Sequence, residues 1–351
     1  MIAKESLSIQ WLETLVQRYK KADKILIEKV IRALSLLELL KLNNLDFIFK
    51  GGTALLLLLS EPKRLSIDID IILPTQPANL EDILERIVEQ SDFISFEENV
   101  RKSHTSIKKQ HFKFHYTPLT KTISDTEYIL LDIVYTDYTY ENKLQSQTID
   151  SPFLIQEEEM TSVIVPTIDG LLGDKLTAFA PMTTGIPYHK GKEIEIIKQL
   201  YDIANLFDEM SDIERIYDVF TTIGAKELAN RHLKELTSID ILNDIFETSL
   251  LISTRGKYGT GDFDELQKGI KNIRNFIFSE PFHIERAIVC TAKAAYLAML
   301  LKNQANEFQR YSPEIDMREW IIQTPFVTKL NKLKKSSPES FFYWYQVYQL
   351  S

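Results

Sequence analysis

One cysteine, Cys290, stands in the whole 351-residue chain. A single thiol excludes a disulfide framework and a cysteine-built zinc site. Long apolar runs are missing as well: the longest purely aliphatic stretch, residues 54–59, falls far short of the ~20 residues a membrane helix needs. The opening Met1-Ile2-Ala3-Lys4-Glu5 brings in an acid at once and leads into an amphipathic stretch, so no signal peptide is expected. The chain is therefore read as cytoplasmic, with no membrane partner. Positive charge is in deficit, 41 Lys and Arg against 50 Asp and Glu, giving a formal net charge of −9. Such a chain does not coat nucleic acid in general; any polyanion it binds needs a local basic patch. The six histidines show no metal-ligand spacing, and there is no internal repeat and no low-complexity segment.

What is present is an ordinary apolar fraction of 44%, enough for a sizeable core. The length suggests two domains, since one domain usually takes roughly 100–200 residues. Residues 1–42 read as helices, with Trp11, Leu12, Leu15 and Val16 on one face. Asp46-Phe47-Ile48-Phe49 reads as a short strand, residues 53–60 as a helix broken by Pro62, and residues 67–73 as a β-branched strand ended by Pro74. A helix over 80–90 and strands over 93–100, 112–116 and 128–135 follow. In the second of these strands Phe112, Phe114 and Tyr116 alternate with His111, Lys113 and His115, the pattern of a strand with one wet face. Residues 152–165 read as irregular or extended. Beyond Pro166 the spacing is almost purely helical, interrupted at 181–187, 255–261 and Pro281. The expected architecture is α+β: a mixed α/β domain over 1–166 and an all-helical domain over 167–351.

The chemistry concentrates around two glycines and three acids. Residues i and i+2 of a strand share a face roughly 6.5–7 Å apart, which sets Asp68 and Asp70 side by side while Ile67, Ile69 and Ile71 face the core. Two adjacent anions repel unless a cation joins them, and Mg²⁺ is the hard divalent ion that takes carboxylates together with phosphate oxygens. Asp132, set in the apolar run Ile129-Leu130-Leu131-Asp132-Ile133-Val134, is a third candidate, as metal ligand or as general base. Gly51-Gly52-Thr53 falls between a strand and a helix, where bare backbone and a helix N-terminus suit a phosphate. The combination reads as a site for a nucleotide and Mg²⁺, although neither G-x-x-x-x-G-K nor G-x-G-x-x-G occurs. Lys175 lies on the apolar face of its helix, four residues from both Leu171 and Phe179, where it calls for an anionic partner such as a triphosphate. Asp202 lies one turn from Lys198.

These residues resemble the AbiEii/AbiGii-type nucleotidyltransferase toxins, bacterial members of the DNA-polymerase-β-like nucleotidyltransferase superfamily. The matching pieces run in order: Lys50-Gly51-Gly52-Thr53-Ala54-Leu55, Arg64-Leu65-Ser66-Ile67-Asp68-Ile69-Asp70, Asp174-Lys175-Leu176-Thr177-Ala178 and Lys198-Gln199-Leu200-Tyr201-Asp202-Ile203. The resemblance covers roughly residues 45–210. It implies a nucleotidyltransferase palm, a mixed sheet flanked by helices, followed by a helical domain that completes the active-site cleft. It also implies Mg²⁺-dependent transfer of a nucleoside monophosphate from an NTP, a tRNA 3′ end as acceptor in some members, and the toxin role in a toxin–antitoxin or phage-defence pair with a cognate antitoxin. On matched positions, Gly51, Gly52, Thr53, Arg64 and Ser66 would hold the phosphates. Asp68 and Asp70 would bind metal, Asp132 would join them, Lys175 would pair with the triphosphate, and Asp202 would be a late catalytic or orienting acid.

Two other readings stand beside this one. The same core could modify a small molecule or a protein hydroxyl, or could persist as a catalytically silent binding partner. Basic residues cluster at Arg101-Lys102, Lys108-Lys109 and Lys113, at Lys190, Lys192 and Lys198, and at Lys329, Lys332, Lys334 and Lys335. Gly256, Gly259 and Gly261, beside Arg255 and Lys257, read as a helix–helix loop with some likeness to a phosphate loop. Each basic cluster is a solvated face by default and a phosphate contact where two of them meet.

Overall fold

A computed structural model describes residues 1–100, 108–120, 124–136, 140 and 143–351. The chain divides into two compact units: Met1–Thr167 with Asn275–Glu280, and Ile168–Arg274 with Pro281–Ser351.

The first unit opens with helices α1 (Ile9–Arg18) and α2 (Lys24–Leu42). Asp23 starts α2 by accepting the backbone N–H groups of Ile25 and Leu26, and most of the helix's apolar residues, from Ile27 to Leu40, are buried. Strand β1 (Ile48–Lys50) runs directly into α3 (Gly51–Leu58), and β2 (Ile69–Leu73) leads to α4 (Leu80–Glu89). Then come β3 (Phe93–Glu98), β4 (Lys109–Tyr116), β5 (Glu127–Tyr135), β6 (Leu144–Thr148) and β7 (Ser162–Pro166). The seven strands form one mixed sheet in the order β3-β4-β5-β2-β1-β7-β6. β1 is antiparallel to β2 and parallel to β7, and β2 is parallel to β5. Phe112, Phe114 and Tyr116 are buried while His111, Lys113 and His115 are not, as the alternation requires.

Two differences from the sequence reading concern this unit. β2 begins at Ile69, so Ile67 and Asp68 lie in its approach rather than in the strand: Ile69 and Ile71 are fully buried, Ile67 only partly, and Asp68 is exposed. β6, Leu-Gln-Ser-Gln-Thr, carries no apolar alternation; it is an edge strand held by backbone pairing to β7. The returning segment Asn275–Glu280 docks on the approach to β2. Leu65 N–H donates to Phe276 O at 2.8 Å, Arg64 and Ile277 form a bridge, and Ser279 donates to Lys63 O at 2.9 Å. Phe278 anchors the segment between Tyr19 and Phe153, with ring centroids 4.9 and 5.7 Å away.

The second unit is helical: α5 (Ile168–Ala178), α6 (Glu193–Glu209), α7 (Ile213–Asn230), α8 (Ser238–Ser253), α9 (Phe263–Asn272), α10 (Ile284–Lys302), α11 (Leu333–Ser336) and α12 (Pro338–Gln349). α10 is the central helix, with every residue from 287 to 301 buried. Its Lys293 is 2% exposed, and its Nζ lies 2.7 Å from Asp208 and 2.9 Å from Glu339. Burial would lower the pKa of this ammonium, but the two carboxylates outweigh burial and hold it above its usual value. Residues 255–261 connect α8 to α9 as a helix–helix loop. Helical spacing does not persist through 303–327, where the chain is irregular. Pro313 and Pro325 interrupt that stretch, and Trp320 stacks on Phe342 and Tyr345 of α12 instead. No helix among the described residues is long and apolar enough to cross a membrane.

Candidate active site

The sheet register brings two of the acids predicted from sequence, Asp70 and Asp132, into one row, while Asp68 lies before the strand and Asp202 on a helix of the second unit. Lys50 of β1 is paired with Asp70 of β2, Asp70 with Asp132 of β5, and Asp132 with His111 of β4. Directly opposed residues share a face, so four strands present cation, acid, acid and imidazole side by side. Asp70 is half-buried, while the Asp132 side chain is 22% exposed. His111 Nδ1 lies 2.7 Å from Asp132 Oδ1, close enough for an Nδ1–H to donate to the carboxylate. Sequence periodicity put His111 on a wet face but could not give it this partner, because only the pairing of β4 with β5 brings the two together.

The second component is the junction of β1 and α3. Gly51 sits at φ +82°, and a Cβ there would lie 2.0 Å from Asp70 Oδ2. A Cβ on Gly52 would lie 2.5 Å from Arg64 Nη2 and 2.7 Å from Ser66 Oγ. The bare backbone thus lets the Asp70 carboxylate, the Arg64 guanidinium and the Ser66 hydroxyl close on the first turn of α3, whose N-cap Lys50 supplies no side-chain cap. Buried Thr53 fixes the approach to β2. Its hydroxyl donates to Asp68 O at 2.6 Å and lies 3.0 Å from Ser66 Oγ. Arg64 is buried and donates to Leu65 O at 2.9 Å.

Gly51→Ala is the sharpest steric probe of this junction. The added methyl meets Asp70 and the left-handed backbone disfavours any L side chain, so Tm is expected to fall by about 2–8 °C. Nucleotidyl transfer is expected to fall at least about 10²-fold through displacement of Asp70. Gly52→Ala meets the far end of Arg64, which can swing away, and should cost less on both measures. Transfer by Gly51→Ala within a few-fold of wild type would remove Asp70 placement as the reason for the glycine.

In the helical unit, Lys175 of α5 and Asp202 of α6 form a buried ion pair, with Nζ 2.8 Å from Asp202 Oδ2 and 3.0 Å from Gln199 Oε1. The two side chains are 7% and 1% exposed. The anionic partner that the apolar face of α5 demands is therefore supplied by the protein itself. Lys198 lies 3.6 Å from Glu195 on its own helix. Among the basic clusters, Arg101 and Lys102 lie outside the described residues. Lys113 bonds Glu97 at 3.1 Å and, with His115, holds that carboxyl below its usual pKa. Lys108 bonds Gln76.

Among the described residues, His189, Asp262 and Glu265 of the helical unit bring possible ligand atoms within 4.8 Å of one another. Their carboxylates already serve the local backbone: Glu265 accepts His189 N–H at 2.8 and 3.1 Å, and Asp262 caps α9 by accepting Glu265 N–H at 2.9 Å. Asp70 and Asp132 are directly opposed on adjoining strands, with Asp68 exposed just before them, and offer carboxylate oxygens of the kind a hard divalent ion takes.

Paired acids on adjoining strands, next to a glycine-led helix N-terminus, are the arrangement expected of a nucleotidyltransferase. The family model described as nucleotidyl transferase AbiEii toxin, type IV toxin–antitoxin system, matches residues 36–275, and the chain belongs to that family. No curated protein matches in sequence. Among solved structures, JHP933 from Helicobacter pylori is similar at 14% identity, covering 85% of this chain and 94% of its own, with a TM-score of 0.46. An antigenic nucleotidyltransferase-like protein from Paracoccidioides brasiliensis is similar at 13% identity, covering 66% of this chain and 95% of its own, with a TM-score of 0.34.

Proposed function

We propose that this enzyme moves a nucleoside monophosphate from an NTP to a hydroxyl at the 3′ end of tRNA, and that this transfer is the toxic activity restrained by a cognate antitoxin. The observation that carries the reading is the row Lys50, Asp70, Asp132 and His111 in register beside the first turn of α3. Asp68 and Asp70 would hold Mg²⁺, which when bound would neutralise phosphate charge. Ser66, Arg64 and the Gly51-Gly52-Thr53 turn hold the terminal phosphates through hydroxyl, guanidinium and backbone N–H donors. His111 fixes Asp132 Oδ1, so the Asp132 carboxylate is oriented to take the proton of the acceptor hydroxyl. The acceptor oxygen then bonds to the α-phosphorus, the bond from that phosphorus to the bridging oxygen breaks, and pyrophosphate leaves.

The test is incubation of the protein with each α-labelled NTP and total tRNA, with Mg²⁺ or with EDTA. Label on tRNA that needs Mg²⁺ and does not form when the 3′ end of the tRNA is oxidised with periodate beforehand is the expected result. Label on protein or on a metabolite would replace the acceptor, and no transfer to any acceptor would overturn the reading.

A further inference from the structure

Two basic segments more than 70 residues apart in sequence meet in the helical unit. Arg255 and Lys257, in the loop after α8, face Lys329 and Lys332 across a pocket of about 360 Å³ whose floor includes Ile288 and Leu330. Arg255 bonds Glu285 at 3.1 Å, the one carboxylate in the lining. Among the described residues, Lys257, Lys329 and Lys332 have no carboxylate at ion-pair distance. The Lys257 ammonium instead stands against that of Lys329 and, with Lys332, holds its pKa below the usual lysine value. A folded chain with 50 acids has ample means to neutralise three lysines, so like charges converging on a pocket favour an anionic ligand. Tyr258, next to Lys257 in the chain, is 47% exposed, with Lys329 Nζ 5.7 Å from its ring.

We propose that this pocket binds the phosphate backbone of a single-stranded RNA segment, with Tyr258 as a stacking surface for one base. Cations interleaved with an exposed aromatic ring are the recognition chemistry of single-stranded nucleic acid, whereas a free phosphate would leave the ring unused. The proposal deepens the reading of an RNA acceptor and rests on it. It also supplies the local patch that a chain of net charge −9 needs in order to hold a polyanion.

The experiment measures binding of fluorescent tRNA as a function of salt, which requires no turnover and so separates this inference from the transfer activity. The variant Lys257→Ala/Lys329→Ala/Lys332→Ala is compared with Lys4→Ala/Lys20→Ala/Lys21→Ala, which removes equal charge from exposed positions of the first unit. The pocket variant is expected to bind at least about tenfold more weakly, and its log–log salt slope is expected to be shallower by about 2. It should also show a raised KM for RNA with an unchanged KM for NTP, while the control stays within about twofold of wild type. Tyr258→Ala should weaken binding about tenfold without changing the salt slope. Equal losses in pocket and control variants, or unchanged binding in the pocket variant, would overturn the proposal. So would pocket-dependent binding of anionic lipid vesicles without any binding of RNA.

Discussion

Asp70→Asn is expected to reduce nucleotidyl transfer by about 10³-fold while leaving the fold intact. The substitution keeps the shape that rests on Gly51 and removes only the charge from the centre of the row. Loss of a carboxylate that holds a phosphate-neutralising ion costs several kcal/mol of transition-state stabilisation, and ~4 kcal/mol corresponds to about 10³ in rate. Stability should move little. Asp70 is directly opposed to Lys50 on one side and to Asp132 on the other, so an attraction and a repulsion of up to about 1 kcal/mol each are lost together, and Tm is expected to stay within about 4 °C of wild type. Label transfer from an NTP and a thermal melt, made on the same preparation, check both halves. Transfer within about tenfold of wild type would remove Asp70 from the catalytic set. A large fall in Tm would assign it to the fold instead.

The row around Asp70 was half legible in the sequence. Asp70 and Asp132 each stand out because a charge inside an apolar alternation needs a reason, and Gly51-Gly52 stands out because two glycines open an otherwise leucine-rich helix. Their common register is a property of strand order. β2 lies between β1 and β5 although more than fifty residues separate the ends of β2 and β5, and no local pattern encodes that neighbourhood. His111 was hidden for the same reason. So was the support of the Arg64-to-Asp68 approach, which comes from Phe276 and Ile277 more than two hundred residues later. β6 escaped because an edge strand needs backbone partners more than apolar side chains. Residues 303–327 fall within the stretch that reads as helical, yet Pro313 and Pro325 divide it.

The Lys175–Asp202 pair offers the other large effect, and two variants separate its contributions to stability and to chemistry. In Lys175→Met the Asp202 carboxylate stays buried without its ammonium, and breaking a buried pair from one side costs about 3–5 kcal/mol. For a unit of this size Tm is expected to fall by about 6–15 °C, and transfer should fall with it. The double variant Lys175→Met/Asp202→Leu removes both charges and refills the space with apolar side chains. Such replacements are neutral to stabilising by about 1–4 kcal/mol, so Tm should return to within a few degrees of wild type. Gln199 is only half-buried and can exchange its bond to Lys175 for water. If Lys175 serves the triphosphate, the refolded double variant stays at least about 10²-fold down in transfer, with a raised KM for NTP. A double variant that regains both Tm and transfer would make the pair a purely structural tie between α5 and α6. The phosphate-binding role would then rest on Arg64, Ser66 and the first turn of α3 alone.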